Sequence, residues 1–487
     1  MENIRRNKEM LSKGLKKDQY DAIIVGAGIG GLVCGCYLVK AGMKVLIIEK
    51  NGKPGGYCTS FEKEGFEFDG GVHSLSGARP GGPLGRVVDD FDLRKVLNFY
   101  RPQFCEIVSD GVKTLKIGTN LCDTIEEFSS AFPKEKGNIQ EFFSNLKKFE
   151  ILSSYNKYIN FSFDKVIKQF NLSIKVQNFI KILLSSMAIP FEKLDALTAM
   201  VVLKEYFSDG GYYPEDGMQM LADQLFERFI KWGGRGIFLK KVDKIIVKRN
   251  SVEGVSTSCG NVFYSNIIIC NGDFHNMISN LVDKKYLNSD SLRAIKKINP
   301  SLSAFLLFLG LKKPIFPYKS LGFWFFPVKN VATFLKNVQN GKIYKDKCVF
   351  CIPNPRDATS LVLMSTVPFV SDKYWKLNKD RFANELIDRA EKALRTNLAN
   401  NIVIKEVASP LTLRDLSLNY KGAIRGWGLD YKQMDLKKVI TQTIKVKGLH
   451  SVGHWSVTPF PILEGGVSMV AHGGRYLAKK ILLEIKK

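Results

Sequence analysis

The chain has 487 residues, 45% apolar and 11% aromatic, a composition that excludes a disordered or fibrous protein and suits roughly two or three domains. Its 72 Lys and Arg against 47 Asp and Glu give a formal charge of +25; this is either a solvated surface or an attraction for an anionic membrane, and without zinc-finger spacing or an RRM-type aromatic string no nucleic-acid partner is expected. Nine Cys, an odd number with no signal peptide before them, argue against a disulfide framework and for a reducing, cytoplasmic setting.

In chain order, the basic residues 1–20 read as a loose arm or a short interfacial helix. Residues 21–25 (DAIIV) are a buried parallel strand by length and branching, followed by a turn over Gly26–Gly31, a helix ending at Gly42 and a second strand at 44–48, one βαβ unit. Residues 52–85 are Gly-rich and turn-like, and 121–205 are mostly helical. Within them, 163–191 place Val166, Ile167, Phe170, Ile174, Val176, Phe179, Ile182 and Leu183 among Lys165, Lys168, Lys175 and Lys181. That pattern fits a core-facing helix with a solvated Lys face, or a basic amphipathic helix lying in a membrane interface. No apolar run reaches the roughly 20 residues that span a bilayer, so the chain is expected to be soluble or peripheral.

An amphipathic helix follows at 217–231, then strands with turns at Arg249-Asn250 and Cys259-Gly260, ending in NIIIC. Residues 301–435 mix strands (SAFLLFLGL, SLVLMSTV) with a helix, and 449–487 read as strand, Gly-rich loop and helix. The 33 Phe either fill a core or line a site for a long apolar ligand. Cys348 and Cys351 form a lone CxxC, and His450 and His454 lie on a strand and loop; neither pair makes a metal site, and none is expected.

Gly26, Gly28 and Gly31 match GxGxxG between a strand and a helix, with Glu49 at the next strand end. The first glycine allows a tight turn, the second lets a pyrophosphate approach the backbone, the third lets helix and strand pack closely, and the acid accepts from a ribose hydroxyl. Beyond Glu49 and Lys50 comes a second pair, Gly55-Gly56.

This extended pattern resembles the FAD-binding motif shared by amine oxidases, phytoene desaturases and Rab GDP-dissociation inhibitors. Tyr57 and Cys58 stand where the amine-oxidase branch often carries an Arg against the pyrophosphate, so that contact is not carried over. Residues 60–76 (SFEKEGFEFDGGVHSLS), the segment YYPEDGMQMLADQLFERFIKWGG and the closing GLHSVGHWSVTPFPILEGGVSMVAHGGRYLAKKI are similar to the phytoene desaturase, carotenoid isomerase and retinol saturase group.

The resemblance implies an α/β fold: a Rossmann-like FAD-binding domain (discontinuous; 18–115, 206–284 and 436–487) and a second mixed α+β substrate domain (116–205 and 285–435). It implies an FAD-dependent oxidoreductase, a desaturase, saturase or isomerase of a long apolar polyene, isoprenoid or related lipid. The alternatives are a flavin amine oxidase and a non-enzymatic module binding a lipid or prenyl group. The cofactor residues would be Gly26, Ala27, Gly28, Gly30, Gly31, Glu49, Lys50, Gly55, Gly56, Val242, Gly453, Gly466 and Val467. In the group the stretch matching Asp69-Gly70-Gly71 lies close to the flavin, and Gly465 and Gly466 would start the last helix. No catalytic acid, base or nucleophile stands out; His73, Arg414, Arg425, Trp427 and Glu464 are candidates by type and position alone.

Overall fold

A computed structural model describes residues 19–317, 319–343, 348–433, 446–456 and 466–486. The basic arm up to residue 18, the domain boundary at 435/436, Glu464 and Gly465 lie outside the described residues.

Apolar runs with branched side chains build a five-stranded parallel sheet, in the order Leu449–Ser451, Ile268–Cys270, Ala22–Val25, Val45–Ile48, Arg235–Ile237. The three inner strands are apolar throughout because both faces are covered. Ile24 and Ile47 pack under the helices Ile29–Lys40, Met218–Lys231 and Gly466–Lys486. Ile23, Leu46 and Ile48 pack against an antiparallel sheet of Val242–Lys248, Ser251–Thr257 and Val262–Tyr264. Its first hairpin turns at Arg249 and Asn250, both at positive φ, as a two-residue hairpin loop requires.

A seven-stranded sheet forms the second body, in the order Ile402–Ala408, Ser303–Leu311, Ser360–Val367, Val349–Pro353, Phe323–Phe325, Phe104–Ser109, Thr114–Gly118. Alternation along Ser303–Leu311 divides its faces. Phe305, Leu307 and Leu309 meet Trp375, Phe382 and Leu386 of the helix Asp372–Leu394. Ala304, Leu306 and Phe308 face a helical layer that includes Leu121–Ala131, Lys136–Lys148, Ile174–Leu183 and Ala196–Ser208. Asn120, Ser173 and Asp195 cap three of these helices by accepting a backbone N–H three residues on, a local signal that sets where each begins.

Two features of the packing bear on the sequence reading. Phe104–Ser109 pairs with Phe323–Phe325, and Thr114–Gly118 extends that pairing, so the chain enters the second sheet about ten residues before the boundary placed at 115. A hydrogen-bonded strand belongs to the sheet that satisfies its backbone. The apolar side chains of the 163–191 stretch mostly pack inward, as the core-facing reading has it, with Ile174 exposed. Val166, Ile167, Phe170, Val176, Phe179, Ile182 and Leu183 are buried in the core. Lys181 is buried too, its Nζ 2.7 Å from Asp164 Oδ1, while Lys168 holds the other oxygen at 2.5 Å from the surface. Helix and sheet enclose this segment on both sides, and Asp164 offsets the charge that the enclosure would otherwise strand.

Candidate active site

A cavity of about 390 Å³ runs from the glycine turns of the parallel sheet to the inner face of the seven-stranded sheet. All the expected cofactor residues line it except Ala27 and Gly31, which lie behind the turn.

Gly26 has φ +99° and turns the chain sharply out of its strand. The first-turn N–H groups of the helix Ile29–Lys40 have no acceptor within the helix, and Gly28, Ile29 and Gly30 line the cavity. Such a terminus suits a phosphate. Gly55 N–H donates to Ala27 O at 2.9 Å and brings the second glycine pair beside the first. The glycines are required here partly for a reason the motif does not carry. Asn271, at the end of the strand Ile268–Cys270, reaches across and donates to Gly26 O (3.1 Å) and Gly28 O (3.2 Å). A Cβ on Gly28 would come 2.9 Å from its Nδ2, and one on Gly453 would come 2.8 Å from its Oδ1. A Cβ on Gly31 would meet Gly26 O at 2.7 Å, so the third glycine closes the turn on itself.

Glu49 is buried, its Oε2 accepting from Ala27 N–H (2.7 Å) and its Oε1 from Asn51 N–H (2.8 Å). The carboxylate therefore braces the glycine turn, and each oxygen keeps a further lone pair. Lys50 Nζ donates to Asp415 O at 3.3 Å, and burial lowers its pKa. Val242 begins the adjoining antiparallel sheet and is buried. Gly466 has φ +74° and opens the last helix, with Arg425 Nη1 3.1 Å from where its Cβ would be.

At the other end the wall is a row of side chains laid across four strands. Leu306 pairs with Met364, Met364 with Phe350, and Phe350 with Trp324, and all four line the cavity. Trp324 and Phe350 stack at 3.7 Å and 13°. Leu183, Met187, Val201 and Ile424 complete the apolar surface. Glu106 interrupts it. This carboxyl is 1% exposed, and its Oε1 accepts from Tyr206 Oη (2.6 Å) and its Oε2 from Trp324 Nε1 (3.1 Å). Burial pushes its pKa up to about 8 despite both donors. A Cβ on Gly322 would come 2.5 Å from Oε2 and 2.3 Å from the Phe350 ring, so only glycine leaves room for both.

Between the ends stand His73, Arg425 and His454. His73 Nε2 has no hydrogen-bond partner among the described residues, and burial holds the ring at about 4. His454 is also held at about 4, by burial and then by the charge of Arg425. Arg425 donates through Nε to Ser186 O (2.9 Å) and through Nη2 to Ser186 Oγ (3.3 Å), and burial pulls its pKa to about 10.

Of the other candidates, Arg414 pairs with Asp372 and Asp415 away from the cavity, and Trp427 Nε1 is spent on Trp455 O. Asp69 ties a hairpin to the helix Met218–Lys231 through Ser60, Tyr213 and Met218 N–H, and only Gly71 of its stretch lines the cavity. Sequence reasoning missed Asn271, Glu106, Tyr206 and Trp324. The one available signal was an acid inside the strand-like FCEIVS.

The NAD(P)-binding Rossmann-like domain family matches residues 24–91. An oxidoreductase from Methanosarcina mazei shares the fold with a TM-score of 0.68 at 15% identity, covering 94% of this chain and 99% of that one. Putrescine oxidase bound to putrescine does so at 0.67 and 14%, covering 96% and 99%. The fold is thus that of a Rossmann-like dinucleotide-binding domain joined to a second, apolar-walled body.

Three relatives narrow the class. Prolycopene isomerase 2, chloroplastic, of an Oncidium hybrid cultivar is 25% identical over 82% of this chain and 73% of its own length. All-trans-retinol 13,14-reductase of Rattus norvegicus is 25% identical over 63% and 56%. The 1-hydroxycarotenoid 3,4-desaturase of Flavobacterium sp. (strain P99-3) is 23% identical over 83% and 88%. The chain is an oxidoreductase similar in sequence to this group of carotenoid isomerases, carotenoid desaturases and retinol reductases.

Proposed function

We propose that the chain uses FAD to desaturate, saturate or isomerise a long apolar polyene, isoprenoid or related lipid. The observation that carries this reading is the continuity of one cavity from the glycine turns to the wall of Leu306, Met364, Phe350 and Trp324. In this reading Gly26, Gly28, Gly30 and the helix start hold the pyrophosphate, with Ala27 and Gly31 fixing the turn. Glu49 and Lys50 take the adenosine ribose end, Val242 the adenine side, Gly55 and Gly56 the closing loop. Gly453 lies along the ribityl chain, and Gly466 and Val467 present a helix N-terminus to the flavin ring, where reduction gathers negative charge. When bound, the flavin supplies two-electron chemistry; the chain orients the substrate and excludes water.

An amine oxidase binds a cation, and Arg425, set between the two ends, opposes one. A prenyl-binding module would carry no flavin. The absorption spectrum of the purified protein, before and after photoreduction, tests the cofactor. Visible flavin bands that bleach on illumination are expected, together with quenching of Trp fluorescence by all-trans-retinol or a carotene. A colourless protein that cannot be reconstituted with FAD would overturn the reading.

A further inference from the structure

The strand Phe104–Ser109 alternates like its neighbours: Ile107 faces the helix Asp372–Leu394, and Val108 faces the helical layer. Glu106 shares the face of Val108, where the pattern calls for an apolar side chain. An acid placed there and enclosed has a large desolvation cost unless it is neutral or fully paired. Its neighbours do not neutralise it. Tyr206 and Trp324 touch it, and both are neutral donors. Cys105 precedes it, its thiol pushed up by burial. Arg425 and Arg101 act on Tyr206 and on Cys105. No cation lies within ion-pair distance of Glu106 among the described residues.

We infer that Glu106 is the acid–base residue of this site, exchanging a proton with the apolar substrate across the face of the wall while Tyr206 reconnects it to the rest of the cavity. The inference rests on the oxidoreductase reading above. Tyr206 spans the link: its hydroxyl donates to Glu106 Oε1, and Ser74 lies near its phenol. Ser74 adjoins His73, whose Nε2 is open, and all four residues line the cavity. In desaturation two hydrogens leave adjacent carbons. One would leave as hydride, with both electrons of its C–H bond, to the flavin that the glycine turns would hold, and the other would leave as a proton to the Glu106 carboxylate, its electron pair becoming the new π bond. Saturation is the reverse, with reduced flavin and neutral Glu106. Burial raises the Glu106 pKa to about 8, which keeps a proton available on the carboxyl at neutral pH for the saturating step.

The test uses the flavin-loaded protein and two readouts. Infrared difference spectra from pH 5 to pH 10, in water and deuterium oxide, should show a protonated-carboxyl band that titrates near 8 and is missing from Glu106→Gln. All-trans-retinol should shift that band, turned over or not. With photoreduced enzyme and retinol as the probe, Glu106→Gln should lower kcat by about 10²- to 10⁴-fold at unchanged flavin content and unchanged retinol affinity. Tyr206→Phe, which removes a donor to the carboxylate, should move the pH break upward and lower kcat less. An ionised Glu106 at pH 7, or wild-type kcat and pH profile in Glu106→Gln, would overturn the proposal. If Glu106→Gln does not fold, the Tyr206→Phe shift decides, and an unmoved break refutes it. If the wild type holds flavin but turns over no probe, the substrate reading falls, while the infrared titration still decides whether Glu106 carries the exchanging proton.

Discussion

The glycine-lined end of the cavity presents backbone, and its opposite end presents side chains. At the first, Gly26, Gly28, Gly30, Gly55 and Gly56 strip the surface to N–H and C=O groups, and Glu49 and Asn271, which also line the cavity, brace the turns. At the second, four hydrogen-bonded strands hold Leu306, Met364, Phe350 and Trp324 in a row, and the helical layer closes over them. A backbone surface recognises an invariant phosphate and tolerates almost no Cβ. A side-chain wall is set by volume, and changes of volume there alter what fits without dismantling the fold.

That contrast can be broken most sharply at Gly28. Gly28→Val drives a branched side chain at Asn271 Nδ2, 2.9 Å from the first added carbon, and should give a folded protein that purifies without flavin, read from the visible spectrum. Stoichiometric flavin in this variant would mean that the turn does not hold the phosphates. The next effect tests what supports the wall. Lys181 is buried and its partner Asp164 half-buried, and Lys181→Ala should cost about 1–3 kcal/mol in urea unfolding. Lys168→Ala, which takes away the exposed pair to the same Asp164, should cost only about 0.2–1 kcal/mol. Equal losses would show that enclosure of this segment is not what sets its stability.

Glu49→Ala should weaken FAD by about 1.5–3 kcal/mol in a direct titration, the size of a hydrogen bond to a charged group. Unchanged affinity would assign the carboxylate wholly to Ala27 and Asn51 N–H. The smallest effect belongs to the wall. Met364→Trp overfills the row at a cost of about 1–3 kcal/mol, and should weaken retinol binding by fluorescence quenching while the flavin content stays at the wild-type level. Loss of flavin in this variant would mean that the two ends are not separable.

The glycine end was legible because its chemistry is local. Gly26, Gly28, Gly31 and Glu49 stand at fixed spacings along one βαβ unit, and their meaning needs no partner from elsewhere in the chain. Asn271 was not legible, although it touches the same turn, because it arrives from a strand some 245 residues away. The stretch 163–191 has a periodicity that a core helix and an interfacial helix share, and only the sheet packed against it settles which. Phe104–Ser109 failed for a similar reason: a strand's own residues do not say which sheet takes its hydrogen bonds.

By itself, then, the sequence determined the parallel sheet's first βαβ unit, the two glycine turns beside it, the helical character of 121–205 and the family resemblance these carry, all of them written in short-range spacing. The tertiary structure alone decided that Leu306, Met364, Phe350 and Trp324 form one wall, that Glu106 is buried within it between Tyr206 and Trp324, and that Arg414 and Trp427 stay outside. Register between strands far apart in the chain, and the desolvation that follows when they close around a side chain, are properties of the assembled sheet and of no segment within it.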